Sequence, residues 1–102
     1  MTDDLTLFAR IKYKRDTKAF DELFKRWYET LVNYALRFVD IAEAENIVQE
    51  FMVYLWENAK KIEIHSSFQA YILHSTKNRC INFLQREEVK KNIQENVSLI
   101  EV

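Results

Sequence analysis

The chain contains no glycine and no proline. Sheet proteins lean on both for tight turns, so their absence from 102 residues argues for helices joined by short polar connections. The one cysteine, Cys80, has no internal partner, which excludes a disulfide framework and fits a reducing compartment. Only His65 and His74 join it as soft metal ligands. His74 and Cys80 lie six residues apart, about 240° around a helix, so they face apart. Neither a zinc site nor a catalytic Cys–His pair is expected, no other acid–base constellation points to an enzyme, and no cofactor is expected. No apolar run approaches the roughly 20 residues that span a bilayer, and no signal peptide opens the chain. The expectation is a cytoplasmic protein without membrane insertion.

What is present is a chain rich in apolar and aromatic residues, 48% and 14%, which excludes disorder on composition. Its length suits one domain with a modest core. The net charge of −1 hides an uneven distribution. From Asp40 to Glu57 there are five acids and no base; from Asn58 to Arg86 there are five bases and one acid. One segment suits a basic partner and the next an anionic one, unless both are simply solvated helix faces.

Apolar periodicity places four helices. The first covers Asp4 to about Lys14, with Leu5, Phe8 and either Ile11 or Ala9 inward. Asp16 or Thr17 caps the second, in which Phe20, Leu23, Phe24, Trp27, Leu31, Tyr34 and Phe38 recur to about Val39. After a break at Asp40 and Ile41, the third runs from about Ala42 to Lys60 with Ile47, Val48, Phe51 and Leu55 inward. Asn46, Gln49, Glu50, Val53 and Glu57 share another stripe. Lys61 to Ser66 reads as a loop, with Ser66 or Ser67 capping a fourth helix from about Phe68 to Glu88. There Ile72, Thr76, Cys80, Phe83 and Leu84 point inward, while His74, Asn78, Asn82 and Arg86 step along a polar face. Trp27 and Trp56 read as core or helix-contact residues. The tail from Lys90 loses the periodicity.

Three blocks carry a family resemblance. AEAENIVQEFMVYLW (Ala42 to Trp56) resembles region 2.2 of bacterial sigma factors. DTKAFDELFKRWY (Asp16 to Tyr28) resembles region 2.1, and SFQAYILHSTKNRCINFL (Ser67 to Leu84) resembles regions 2.3 and 2.4. The blocks occur in the family's order, over roughly Leu5 to Arg86. The chain thus resembles domain 2 of the sigma-70 superfamily, in the extracytoplasmic-function (ECF) group, with the flavour of its Bacteroidetes branch. Two positions depart from the pattern: Arg15 stands where the family usually has Gly, and Asn46 where it usually has Asp. The first is expected to cost little because Asp16 still caps. The second weakens one charged contact.

The resemblance implies an all-α fold, a compact bundle of about four helices, over residues 1–89. Residues 90–102 would form a helix end or the start of a linker to an absent region 4 domain. It implies a transcription initiation factor that binds the β′ clamp of core RNA polymerase through Asn46, Gln49, Glu50 and Val53. It further implies capture of non-template −10 bases from the opening promoter DNA. By the match, His74, Asn78 and Asn82 read bases, with Ile62 as an apolar wall from the connecting loop. Lys60, Lys61, Lys77, Arg79 and Arg86 pair with phosphates, which gives affinity and salt dependence but little sequence choice. An anti-sigma factor is the other expected partner. The rival reading is a helical adaptor that binds a partner helix and never DNA.

Overall fold

The computed structural model describes residues 1–101, with side chains as far as Val97. Helix α1 spans Asp4–Lys14, α2 Thr17–Ala35, α3 Ile41–Glu57 and α4 Phe68–Glu101, with a 3-10 turn, η1, at Ala59–Lys61. Among the described residues there is no strand. The expected all-α bundle of four helices is what forms.

Each helix begins at a short polar side chain that accepts an otherwise unpaired backbone N–H. Asp3 accepts from Thr6 N at 2.7 Å, Asp16 from Lys18 N and Ala19 N, Asp40 from Glu43 N at 2.9 Å, and Ser67 from Ala70 N at 3.0 Å. The bonds from Thr6 hold the Asp3 carboxyl below its usual range. With no glycine available, the turn between α1 and α2 is made by Arg15 in the left-handed region, at φ 51. Its N–H returns to the Ile11 carbonyl at 3.1 Å.

Helix α2 packs against α1, α3 and α4, and the core forms around it. Leu7, Ile11, Leu23, Leu31, Val48, Phe51, Leu55, Ile72, Thr76 and Cys80 are buried. Thr76 is the one buried polar side chain among the described residues, and its hydroxyl donates to the Ile72 carbonyl at 2.8 Å. Trp27 and Trp56 are half-buried helix contacts. The Trp27 indole N–H donates to Asp4, which also accepts from Arg26 at 2.8 Å, joining α2 to α1.

Several expected placements are corrected. Leu7, not Leu5, faces inward with Phe8 and Ile11, and Leu5 is exposed. Phe83 is half-buried and Leu84 exposed, because α4 leaves the bundle one turn earlier than its apolar pattern suggests. Helix α2 stops at Ala35 and a turn carries Phe38 back onto the core. Helix α3 stops at Glu57, and the residues up to Lys61 form η1 instead.

The largest difference concerns α4, which continues as helix through residues 90–101 rather than ending near Glu88; Val102 of the expected tail lies outside the described residues. The segment carries an apolar row at helical spacing, Val89, Ile93 and Val97, and its Lys, Gln and Glu residues favour helix as well. All three are exposed, so the row marks a helix without marking a buried face.

Candidate nucleic-acid interface

An open groove of about 1000 Å³ runs between α3 and α4. Glu43, Ile47, Glu50, Phe51 and Tyr54 line one wall. Tyr71, Ser75, Asn78, Arg79, Asn82, Gln85, Arg86, Val89 and Lys90 line the other. The α3 wall is therefore anionic, the α4 wall cationic and the floor aromatic. Tyr71 and Phe51 meet there with ring centroids 6.2 Å apart. Burial pushes the Tyr71 phenol above its usual value, against a smaller opposite effect of its hydrogen bond with Ser75.

Asn46, Gln49, Glu50 and Val53 are all exposed on α3, but they divide. The Asn46 amide reaches both Glu43 and Glu50 at 3.4 Å, so these three form one anionic strip along the groove. The Gln49 amide instead donates to the Tyr28 hydroxyl of α2 at 3.1 Å. Val53 presents an exposed apolar surface one turn beyond Gln49 and Glu50.

The polar stripe of α4 winds. A four-residue step advances about 400°, so each member is displaced about 40° from the last. His74 is exposed outside the groove, while Asn78, Asn82 and Arg86 line it. Lys77 is exposed, about 100° around the helix from Asn78. Arg79 lies with its guanidinium 5.1 Å from the Tyr54 ring centroid and 5.7 Å from that of Phe51, a cation–π position over the groove floor. Lys60 and Lys61 are exposed on η1.

Ile62 requires correction. It is 6% exposed and belongs to the core cluster, and its carbonyl accepts from the Lys12 ammonium at 2.8 Å. The loop after η1 folds against α1, so Ile62 fills the interior and leaves almost no surface for a base.

Sequence reasoning missed Glu43, Tyr54, Tyr71 and Lys90. Lys90 stands four residues after Arg86 and continues the same stripe once the helix is known to extend. Glu43 and Tyr54 flank Glu50 at seven- and four-residue distances on α3, a helical signal already in the sequence. Among the described residues no group of three His, Cys, Asp or Glu side chains is placed to hold a metal ion, and no helix is long and apolar enough to cross a membrane.

The described residues thus form a capped helical bundle with an acidic and a basic wall along one open groove. The chain belongs to the Sigma-70 region 2 family, whose model matches residues 23–89. That is a family of transcription-factor domains, not of enzymes. Among solved structures, the chain is similar to an engineered region 2 of sigmaE, determined by NMR in complex with GTAAAA. The TM-score is 0.76 at 22% identity, over 87% of this chain and 93% of that one. No curated protein matches the chain by sequence.

Proposed function

We propose that this domain acts in transcription initiation, docking on core RNA polymerase through α3 and capturing bases of the non-template −10 strand along α4. The observation that carries the reading is the pairing of family membership with the exposed stripe His74, Asn78 and Asn82 on one helix. An Asn side chain both donates and accepts, as a base edge requires. The complex of the related sigmaE region 2 with GTAAAA supports single-stranded DNA as the ligand class. The likeness to region 2 of sigmaE supports the ECF group, and the proposed polymerase partner supports a cytoplasmic location.

The groove constrains how the two partners approach. Phosphates are repelled by Glu43 and Glu50, so a strand reading Asn78 lies over the outer edge of α4, on the side of His74 and Lys77. Lys60, Lys61 and Lys77 then meet its phosphates, whereas Arg86, half a turn around α4 from Lys77, lines the groove with Arg79, which keeps its aromatic contact. The Glu43–Asn46–Glu50 strip is left for a basic element of polymerase, with Gln49 and Val53 beside it. A partner helix bearing charges of both signs also fits the groove, which supports an anti-sigma factor as a competitor for these surfaces.

The test is capture of core RNA polymerase by the tagged domain. Glu50→Arg opposes like charges at the contact and should weaken capture by about thirtyfold, on the order of 2 kcal/mol. Undiminished capture by this variant refutes the docking assignment. A parent domain that binds neither polymerase nor single-stranded DNA would leave the adaptor reading in its place.

A further inference from the structure

Away from the groove, one face of α1 meets both ends of the loop that leads into α4. Phe8 and Lys12 stand four residues apart on that helix, so they share a face. Phe8 packs against Phe68, the first residue of α4, with ring centroids 5.9 Å apart. The Lys12 ammonium donates to the carbonyl of Ile62, where the loop begins, at 2.8 Å, and pairs with Glu63 at 3.2 Å. Between these anchors, among the described residues, no backbone group from Glu63 to Ser66 bonds to another backbone group. Ile62 is buried and Ile64 half-buried, whereas Glu63, His65 and Ser66 are exposed. The two isoleucines thus decide which side chains face out, and the Lys12 bond fixes where the main chain lies.

Packing alone gives no reason for a lysine at this position. Its side chain is only 12% exposed. Taking an ammonium out of water costs more than burying an apolar chain of similar length, and a bonded pair in such a place is weak evidence for stability. What the ammonium supplies is geometry, because its donors hold a main-chain carbonyl and a carboxylate at once. It also balances a charge. The Glu63 carboxylate stands two residues from Lys61, on a surface otherwise basic, and Lys12 is the cation paired with it.

We infer that Lys12 is a positioning residue for DNA recognition: from α1 it holds the Ile62–Ser67 loop in place beside the strand, and it offsets the Glu63 charge that would repel the strand's phosphates. The inference rests on the proposed path of the strand over the outer edge of α4. A strand that meets Lys60 and Lys61 before the loop and His74 and Lys77 after it passes the loop's exposed side chains. A displaced loop therefore changes which bases that path admits. Lys12 itself touches no DNA; its effect is carried through the Ile62 carbonyl and Glu63.

The experiment measures binding of the whole chain at low salt to fluorescent GTAAAA and to the same strand with each base replaced in turn. Lys12→Met keeps the apolar stem and removes the donors. It should cut the preference at one base, other than the one lost in Asn78→Ala, by about fivefold or more. It should also weaken binding to every strand by about twofold, because Glu63 is unbalanced. Adding Glu63→Gln should recover the uniform loss and leave the lost preference, and Lys12→Arg should retain both properties. In the methionine variant NMR order parameters should fall for the amides of residues 63–66 and hold within α1 to α3. Lys12→Gln, shorter and uncharged, replaces methionine if that variant does not fold, with the same expected loss. An unchanged base profile overturns the inference, as does a profile restored in full by Glu63→Gln or a loop whose order is unaltered. If Asn78→Ala leaves the profile intact while Lys12→Met changes it, the α4 reading falls and Lys12 stands; the opposite result removes Lys12 alone. A parent chain that distinguishes no base overturns both.

Discussion

The guanidinium of Arg15 lies 3.8 Å from the centroid of the Trp56 ring, and its Nη1 donates to the Trp56 carbonyl. One side chain thus ties the α1–α2 turn to the end of α3. The same residue holds a left-handed backbone, at φ 51 and ψ 42, where glycine would fit without penalty. That conformation costs a non-glycine residue about 1–2 kcal/mol, and the cation–π contact with its hydrogen bond offsets an amount of that order.

The offset can be measured. Arg15→Ala keeps the backbone penalty and loses the contact, so it should destabilise by about 1–2 kcal/mol. Arg15→Gly loses the contact but relieves the backbone, and should be nearly neutral. In a Trp56→Ala background Arg15→Gly should turn stabilising, a coupling that a double-mutant cycle in urea reads directly. Equal effects of Ala and Gly at this position would show that the left-handed turn carries no penalty here.

Base reading and phosphate gripping should separate on α4. Asn78→Ala is expected to remove about 1–3 kcal/mol at one base of the −10 strand and to relax the preference there. Lys77→Ala should weaken every sequence alike and flatten the salt dependence. The measurement is binding to single-stranded oligonucleotides with each base substituted in turn. A uniform loss for Asn78→Ala would reassign it from reader to scaffold.

Packing of α4 sets an order of stabilities. Ile72 is 1% exposed, so Ile72→Ala should cost about 2–5 kcal/mol. Phe83 is only half-buried, and Phe83→Ala should cost less than Ile72→Ala and less than the about 3–5 kcal/mol of a fully enclosed phenylalanine. Chemical denaturation ranks the two variants. The reverse ranking would mean that the end of α4 packs more closely than described.

Alkaline pH should loosen the domain through two groups. Burial pushes up both the Cys80 thiol, with the Glu43 charge adding to it, and the Tyr71 phenol, from ordinary values of 9.0 and 10.0. Because each is raised in the fold, the folded chain keeps protons that the unfolded chain releases. Their contribution is complete below about pH 9 and is lost as pH rises through the folded values. The melting temperature should therefore fall above about pH 9, and Cys80→Ala should remove the earlier part of the fall. An unchanged melting temperature between about pH 8.5 and 10.5 would contradict this.

How much was legible follows from which interactions are local. Caps and periodicities act within a few residues, so Asp16 and Ser67, and the inward rows Ile47–Val48–Phe51–Leu55 and Ile72–Thr76–Cys80, could be read from the chain itself. Helical spacing likewise predicts that Asn46, Gln49, Glu50 and Val53 on α3 and His74, Asn78 and Asn82 on α4 are exposed, as they are. Where a helix ends, and which of two adjacent apolar residues turns inward, depended on neighbours far along the chain. Leu7 displaced Leu5, Ile62 went into the core under Lys12, and α4 ran on past Glu88 with Val89, Ile93 and Val97 exposed. Tertiary packing alone set Glu43 and Glu50 across a groove from Arg86 and Lys90, and brought Lys60 and Lys61 beside the basic end of α1. The sequence by itself determined the helices, their caps and their charge, because those are properties of a few consecutive residues. Only the fold decided which charged faces confront one another, because that depends on how four helices pack against a shared core.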